Sequence, residues 1–354
     1  MFIKRKKLSW SLAIMISLLL GGGGIGYARV TGVCGNCHTM HNSQNNTHMI
    51  LNTDIDGTSG GLHGGGYPNL TRGSCVGCHT GENTSTSTTP FVYNTGSVTY
   101  GTDTLAGGNF KWVVTDDAKG HNVKGIPGMT ADLALTDGAP GDVNGSGLCF
   151  ESCHKTLFAP KDPVELATGC EGCHLPKHHA PQQAADDVAV EANGYFRFLS
   201  GHTNGIGVHG IEDSNWEFTK SASDHNEYLG STTSLTDNTM TRYCVGCHGD
   251  FHTQQDGNGE WIRHPSDAVL PNDGEYAAYT GYDPNVPVAR PDLTNIALPS
   301  TVVPGTDMVM CLSCHRAHGS PNDDMLRWSY SGMVAGGGSA DGTGCFTCHT
   351  KKDQ

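Results

Sequence analysis

Cys34-Gly35-Asn36-Cys37-His38 is the first of six copies of Cys-x-x-Cys-His. The others run Cys75–His79, Cys170–His174, Cys244–His248, Cys311–His315 and Cys345–His349. A seventh motif, Cys149-Phe-Glu-Ser-Cys153-His154, carries three residues between its cysteines instead of two. Two intervening residues let a single turn present both sulfurs on one side with the imidazole beside them. That is the geometry of c-type haem attachment, in which each sulfur forms a thioether to a vinyl group and the histidine ligates iron from one face. Zinc sites and disulfides also use Cys-x-x-Cys pairs, but neither needs a histidine directly after the second cysteine. Histidine is 19 of 354 residues, so seven chance placements are excluded, and seven motifs with two cysteines each account for all 14 cysteines. The sequence therefore predicts seven c-type haems. Thioethers come from Cys34, Cys37, Cys75, Cys78, Cys149, Cys153, Cys170, Cys173, Cys244, Cys247, Cys311, Cys314, Cys345 and Cys348. The proximal ligands are His38, His79, His154, His174, His248, His315 and His349. At the irregular motif, a haem held by Cys153 alone or a spare thiol at Cys149 remains the alternative.

The rest of the composition suits a chain that folds around such groups. Glycine is 49 of 354 residues and long aliphatic runs are few, which leaves little for an ordinary core. Haems are large apolar bodies, and their binding then supplies much of the folding free energy, as structural metals do in small domains. The expected fold is mostly irregular, with short helices and few short strands wrapped around a chain of covalently attached haems. A basic start (Lys4, Arg5, Lys6, Lys7), the apolar stretch Leu8–Leu20 and Gly26-Tyr27-Ala28 read as a signal peptide over 1–28. Residues 29–354 are then a single multihaem domain with no later run able to span a bilayer. This predicts an exported protein, extracellular or on the cell surface, or else periplasmic. Removing the four basic leader residues takes the net charge from −14 to −18, which excludes nucleic acid as a natural partner. Other redox proteins, or extracellular electron acceptors such as mineral surfaces, are expected instead.

Between the motifs, Gly57–Asn69 and Thr84–Thr89 read as loops, and Phe91–Tyr100 and Phe110–Thr115 as short strands. Gln182–Ala192 is the best helix candidate. Asp142–Gly147 has a faint likeness to a calcium loop, but its twelfth position is Cys153 rather than glutamate, so a solvated turn is expected. The gaps between motifs are irregular, which argues against a strict solenoid.

Twelve histidines remain for at most seven distal positions. His41 and His318 lie three residues beyond a proximal histidine and His252 lies four beyond His248. On a short turn such rings project beside the proximal one and cannot reach the opposite face of the same iron, so each is expected to serve a neighbouring haem. One of His178 and His179 has the same opportunity after His174. His121, His225 and His264 lie in haem-free stretches and would act as long-range ligands. For His48, His63, His202 and His209 the sequence decides nothing.

The segments Gly32–Ser43, Lys119-Gly-His-Asn122, Cys244–His252, Ile262-Arg-His-Pro265 and Cys311–His318 resemble the extracellular multihaem cytochromes of metal-respiring bacteria, specifically their filament-forming hexahaem members. Order and approximate spacing agree over most of 29–354. The resemblance implies that His41, His121, His252, His264, His318 and one of His178 and His179 are distal ligands. It also implies that His41 ligates a haem of an adjacent molecule, which would build a head-to-tail homopolymer; a haem within its own chain is the alternative. The family's single central motif is doubled here by Cys149–His154, and His225 is the expected distal ligand for that extra haem.

Bis-histidine ligation throughout predicts an electron carrier and not an enzyme. The competing reading is a multihaem oxidoreductase of the nitrite or hydroxylamine type with one open haem. Pyridine haemochrome analysis is expected to return seven c-type haems per chain; six would show that the enlarged spacing of Cys149–His154 fails.

Overall fold

The motif turns form from their own sequence. In the computed structural model, which describes residues 29–49, 68–98, 104–134, 139, 157, 169–180, 187–190, 194–200, 207–231, 238–251, 263–294, 296, 299–338 and 342–352, one backbone bond recurs. The histidine N–H donates to the carbonyl of the first cysteine at His38 (2.8 Å), His174 (2.8 Å), His248 (2.9 Å), His315 (3.1 Å) and His349 (3.0 Å). Cys75–His79 closes likewise as helix α1. Caps start several of these turns. The Ser74 hydroxyl accepts from Gly77 N–H at 3.2 Å at the head of α1. The Thr239 hydroxyl accepts from Arg242 N–H at 2.9 Å at the head of Met240–Val245. Each supplies an oxygen to an otherwise unsatisfied donor of the first turn.

Regular structure beyond the motifs is sparse. Among the described residues, the other α-helices with given bounds are α2 (Lys111–Thr115), α3 (Met240–Val245) and α4 (Cys311–Cys314). A hairpin joins β1 (Ser43–Gln44) to β2 (Thr47–His48), with Ser43 opposite His48. One five-stranded sheet has the order β3 (Gly210–Ile211), β4 (Glu227–Leu229), β6 (Ala289–Arg290), β7 (Met308–Val309), β5 (Ala268–Val269). Its pairs are antiparallel except β4 with β6, where Tyr228 lies opposite Ala289. Among the described residues no helix is long and apolar enough to cross a membrane. The mostly irregular fold expected from sequence is the one observed.

Three local readings change. Residues 111–115 are helical, not a strand; the Asn109 side-chain oxygen accepts from Lys111 N–H at 3.0 Å and starts a turn that buries Val113. The other proposed strand reduces to one bridge, Thr80 to Tyr93. Of the expected helix at 182–192, residues 187–190 are extended and Ala189 bridges Gly210. The leader, the Asp142–Gly147 turn and the irregular motif lie outside the described residues.

The apolar interior is divided into small islands, each reaching a motif cysteine. Tyr228, Met240 and Met310 lie in one that packs against Cys244. Val76, Phe110 and Val113 lie in a second against Cys170 and Cys173. Leu270, Tyr279 and Val288 lie in a third against Cys348. Buried charge joins the sheet. The Arg290 guanidinium donates to Glu227 Oε2 at 3.1 Å, to Asp307 Oδ2, and to the carbonyls of Thr301 (2.8 Å) and Pro299 (3.0 Å). Removing one partner of a buried, hydrogen-bonded charge set strands the others. Arg290→Met is therefore expected to cost about 3 kcal/mol or more, read as a lower urea midpoint of the haem-loaded protein, whereas Arg290→Lys should lose less.

Candidate haem-ligand pairs

Five motif histidines each face a histidine from a distant segment. Ring centroids are 6.0 Å apart for His38 and His179, 6.3 Å for His79 and His178, and 6.1 Å for His174 and His318. They are 6.1 Å apart for His248 and His121, and 6.2 Å for His349 and His264. An iron with an imidazole nitrogen about 2.0 Å away on each face sets two ring centroids roughly 6 Å apart. The interplanar angles run from 21° to 87°, a spread that preferred stacking alone would not produce but that rotation about a nitrogen–iron axis permits. The residues present fit the group that the motifs imply.

The ring nitrogens agree. Nδ1 contacts a backbone carbonyl at His38 (Asn69, 3.0 Å), His79 (Pro90, 2.8 Å), His174 (Arg197, 2.8 Å) and His315 (Asp324, 2.7 Å). A carbonyl can only accept, so Nδ1 carries the proton and the Nε2 lone pair is left for a metal. Burial lowers the pKa of His79, His174 and His315, and it pushes His318 down to about 3, with His174 and His121 adding to the effect. Neutral imidazole is the ligating form.

Two backbone features place the partner rings. His178 and His179 share one turn, and each ring serves a different motif. One of the two was expected to serve; here the adjacent residues of the turn point to different sides, towards His79 and His38. His121 and His318 are set by a meeting of glycines: Gly319 bridges both Gly108 and Gly120. A Cβ on Gly108 would lie 2.0 Å from the Gly319 carbonyl oxygen, and one on Gly120 would lie 2.3 Å from that of His318. This approach lets His121 Nδ1 bond the Ala317 carbonyl at 2.7 Å while His318 N–H donates to Gly107 O at 2.7 Å.

Other candidates are placed differently. His225 Nε2 contacts Glu227 Oε1 at 3.1 Å, its Nδ1 contacts Ser221 O at 3.0 Å, and its ring lies 3.7 Å from that of Tyr282. Both ring nitrogens of His225, expected as the ligand of the extra haem, contact protein groups here. His209 Nε2 lies 2.6 Å from Asn238 Nδ2. His41 is exposed, and no histidine ring faces His41 or His315 among the described residues. Cys149, Cys153, His154, His63, His202 and His252 lie outside those residues, as does the side chain of His48.

Cysteines of neighbouring motifs approach one another. Cys170 is hydrogen-bonded to Cys75, and Cys244 to Cys311, while Cys345 and Cys348 add to the burial that pushes Cys314 up to about 12. The motifs are thus packed side by side. The His349 Nδ1 differs from the other four in meeting a side chain, Glu275 Oε1, at 3.4 Å.

Residues 304–354 match the family model of the doubled CXXCH motif. The chain is 26% identical to the C-type cytochrome OmcS of Geobacter sulfurreducens, over 92% of this chain and 86% of that protein. Its fold matches two solved structures at 19% identity. One is the Outer Membrane Cytochrome S filament from Geobacter sulfurreducens, with TM-score 0.50 over 86% of this chain and 85% of that one. The other is of OmcS nanowires from the same organism, with TM-score 0.52 over 85% and 84%.

Because His178 and His179 face different motifs, His178→Ala and His179→Ala are each expected to convert one haem from low-spin to high-spin. The double variant should convert two, counted by electron paramagnetic resonance.

Proposed function

We propose that this chain is an exported heptahaem electron carrier in which a bis-histidine chain of haems passes electrons to redox partners and extracellular acceptors. The five histidine pairs at 6.0–6.3 Å carry the reading. Bound at the motifs, c-type haem would supply an iron that cycles between ferric and ferrous states. The residues of this chain hold each such group covalently through Cys-x-x-Cys, orient the proximal imidazole through Nδ1, and fill the opposite face with a second imidazole. Closing both faces leaves no position for a substrate, which favours a carrier over the nitrite or hydroxylamine type of enzyme. Side-by-side motif packing supports a continuous path, since Cys75 approaches Cys170 and Cys244 approaches Cys311.

His41 supplies the link between molecules. Its ring is exposed near the start of the described chain, while His315 has an oriented, half-buried ring facing no histidine among the described residues. We assign His41 of one copy to the haem at His315 of the next. Such a contact uses two different surfaces and does not close on itself, so it generates a filament. OmcS, with its nanowire structures, supports that assembly. His252 is left for the haem at His154, in place of His225.

His41→Ala is expected to yield monomers with one high-spin haem, seen together in electron micrographs and the paramagnetic resonance spectrum. Dilute wild-type monomers with every haem low-spin would refute the inter-molecular ligand. A high-spin signal in intact wild-type filaments would refute the carrier reading itself.

A further inference from the structure

Four motif histidines whose Nδ1 contact is resolved meet backbone carbonyls, whereas His349 meets the Glu275 carboxylate, Oε1 to Nδ1 at 3.4 Å. The contact is held from both sides. The Thr350 hydroxyl donates to the Glu275 carbonyl at 2.6 Å, tying the residue after His349 to the backbone of Glu275. The Tyr276 ring packs edge-on against His349, with centroids 5.2 Å apart. Glu275 Oε2 is buried without a hydrogen-bond partner. The nearest competing cation is Lys352, whose Nζ lies 3.6 Å from Oε1 on a side chain 60% exposed.

A carboxylate on the outer nitrogen of a ligating histidine draws the Nδ1 proton towards itself and makes the ring a stronger donor at Nε2. A carbonyl does the same far more weakly, because it carries no full charge. A stronger donor stabilises ferric over ferrous iron, and the negative charge adds to this. A glutamate carboxyl is ordinarily ionised at neutral pH, so Glu275 offers His349 Nδ1 a full negative charge.

We propose that Glu275 is the potential-setting residue of the haem held by Cys345, Cys348 and His349, making it more reducing than the haems at His38, His79, His174 and His315. The inference rests on the haem reading above. Glu275 is a positioning residue that acts through His349, and Lys352 moderates it. The C-terminal haem, whose motif packs beside Cys314, then forms a low-potential neighbour of the haem at His315.

The test is a potentiometric titration of the full-length, haem-loaded protein, followed at the haem visible bands, for two variants. Glu275→Gln removes the charge but keeps an acceptor at the same place; it should move one couple upward out of the low-potential end of the curve. Lys352→Met removes the competing cation from the surface and should move the same couple downward. Only one low-spin ferric paramagnetic resonance signal should change in each. A loss of packing would not shift the couple in opposite directions. Curves that superimpose on the wild type in both variants, with haem mass present on the peptide containing Cys345–His349, overturn this inference alone. Absence of haem mass from that peptide overturns it together with the haem reading of the motif.

Discussion

Pairs of imidazoles about 6 Å apart, each joining a motif turn to a segment remote in sequence, are the arrangement on which the rest of the structure depends. The apolar islands around Tyr228, Val76 and Leu270 are too small and separate to specify one chain path among many. The pairs do so instead. The 178–179 turn links the first two motifs to the segment following the third regular one. His318 links that segment's own motif to the next-to-last, and His121, held beside His318 by the glycine meeting, brings in Cys244–His248. When the tie is a ligand bond, its free energy becomes folding free energy. This explains why a glycine-rich chain with few regular elements adopts a defined fold.

Arginine does the work between these ties that apolar packing does elsewhere. Arg316 is 1% exposed and donates to the carbonyls of Leu105 and Ala106. The Arg327 guanidinium reaches the carbonyls of Leu312 and His315, and that of Arg72 reaches those of Gly35 and Asn36. Irregular backbone leaves carbonyls without ladder partners, and a planar fork of five donors satisfies several at once. The strongly acidic composition thus conceals a small set of internal cations placed at the motif turns.

The motif turns and the scarcity of regular structure were legible in the sequence, as was the inability of His318 to serve its own motif. A histidine three residues past a proximal ligand cannot reach the same iron, and His318 indeed faces His174. The pairing of both His178 and His179 was not legible, since it depends on a turn whose two sides are occupied only after distant segments arrive. The contacts of His225 were not legible for a related reason. Its attraction was a position in a haem-free stretch, whereas its partners Glu227 and Tyr282 belong to the sheet that forms around Arg290. At 110–115, aromatic and β-branched residues (Phe110, Trp112, Val113, Val114, Thr115) read as strand, but the Asn109 side chain favours a turn at that boundary. The Glu275 contact with His349 joins residues far apart in sequence, and nothing local announces it.

The shared turn at His178 and His179 also imposes an order in time. A chain made N-terminus first presents Cys34–His38 and Cys75–His79 long before residue 179 has been added. Under the proposed ligation, haems joined to those early motifs wait, each with one face uncovered, until a single later turn closes both. His174 waits longer still, for His318. Such closures between remote positions are slow to find and expose the intermediate to wrong partners. Any stray imidazole reaching an uncovered face would trap a misligated form. The spare histidines early in the chain therefore bear on the yield of correctly assembled molecules as well as on their finished state.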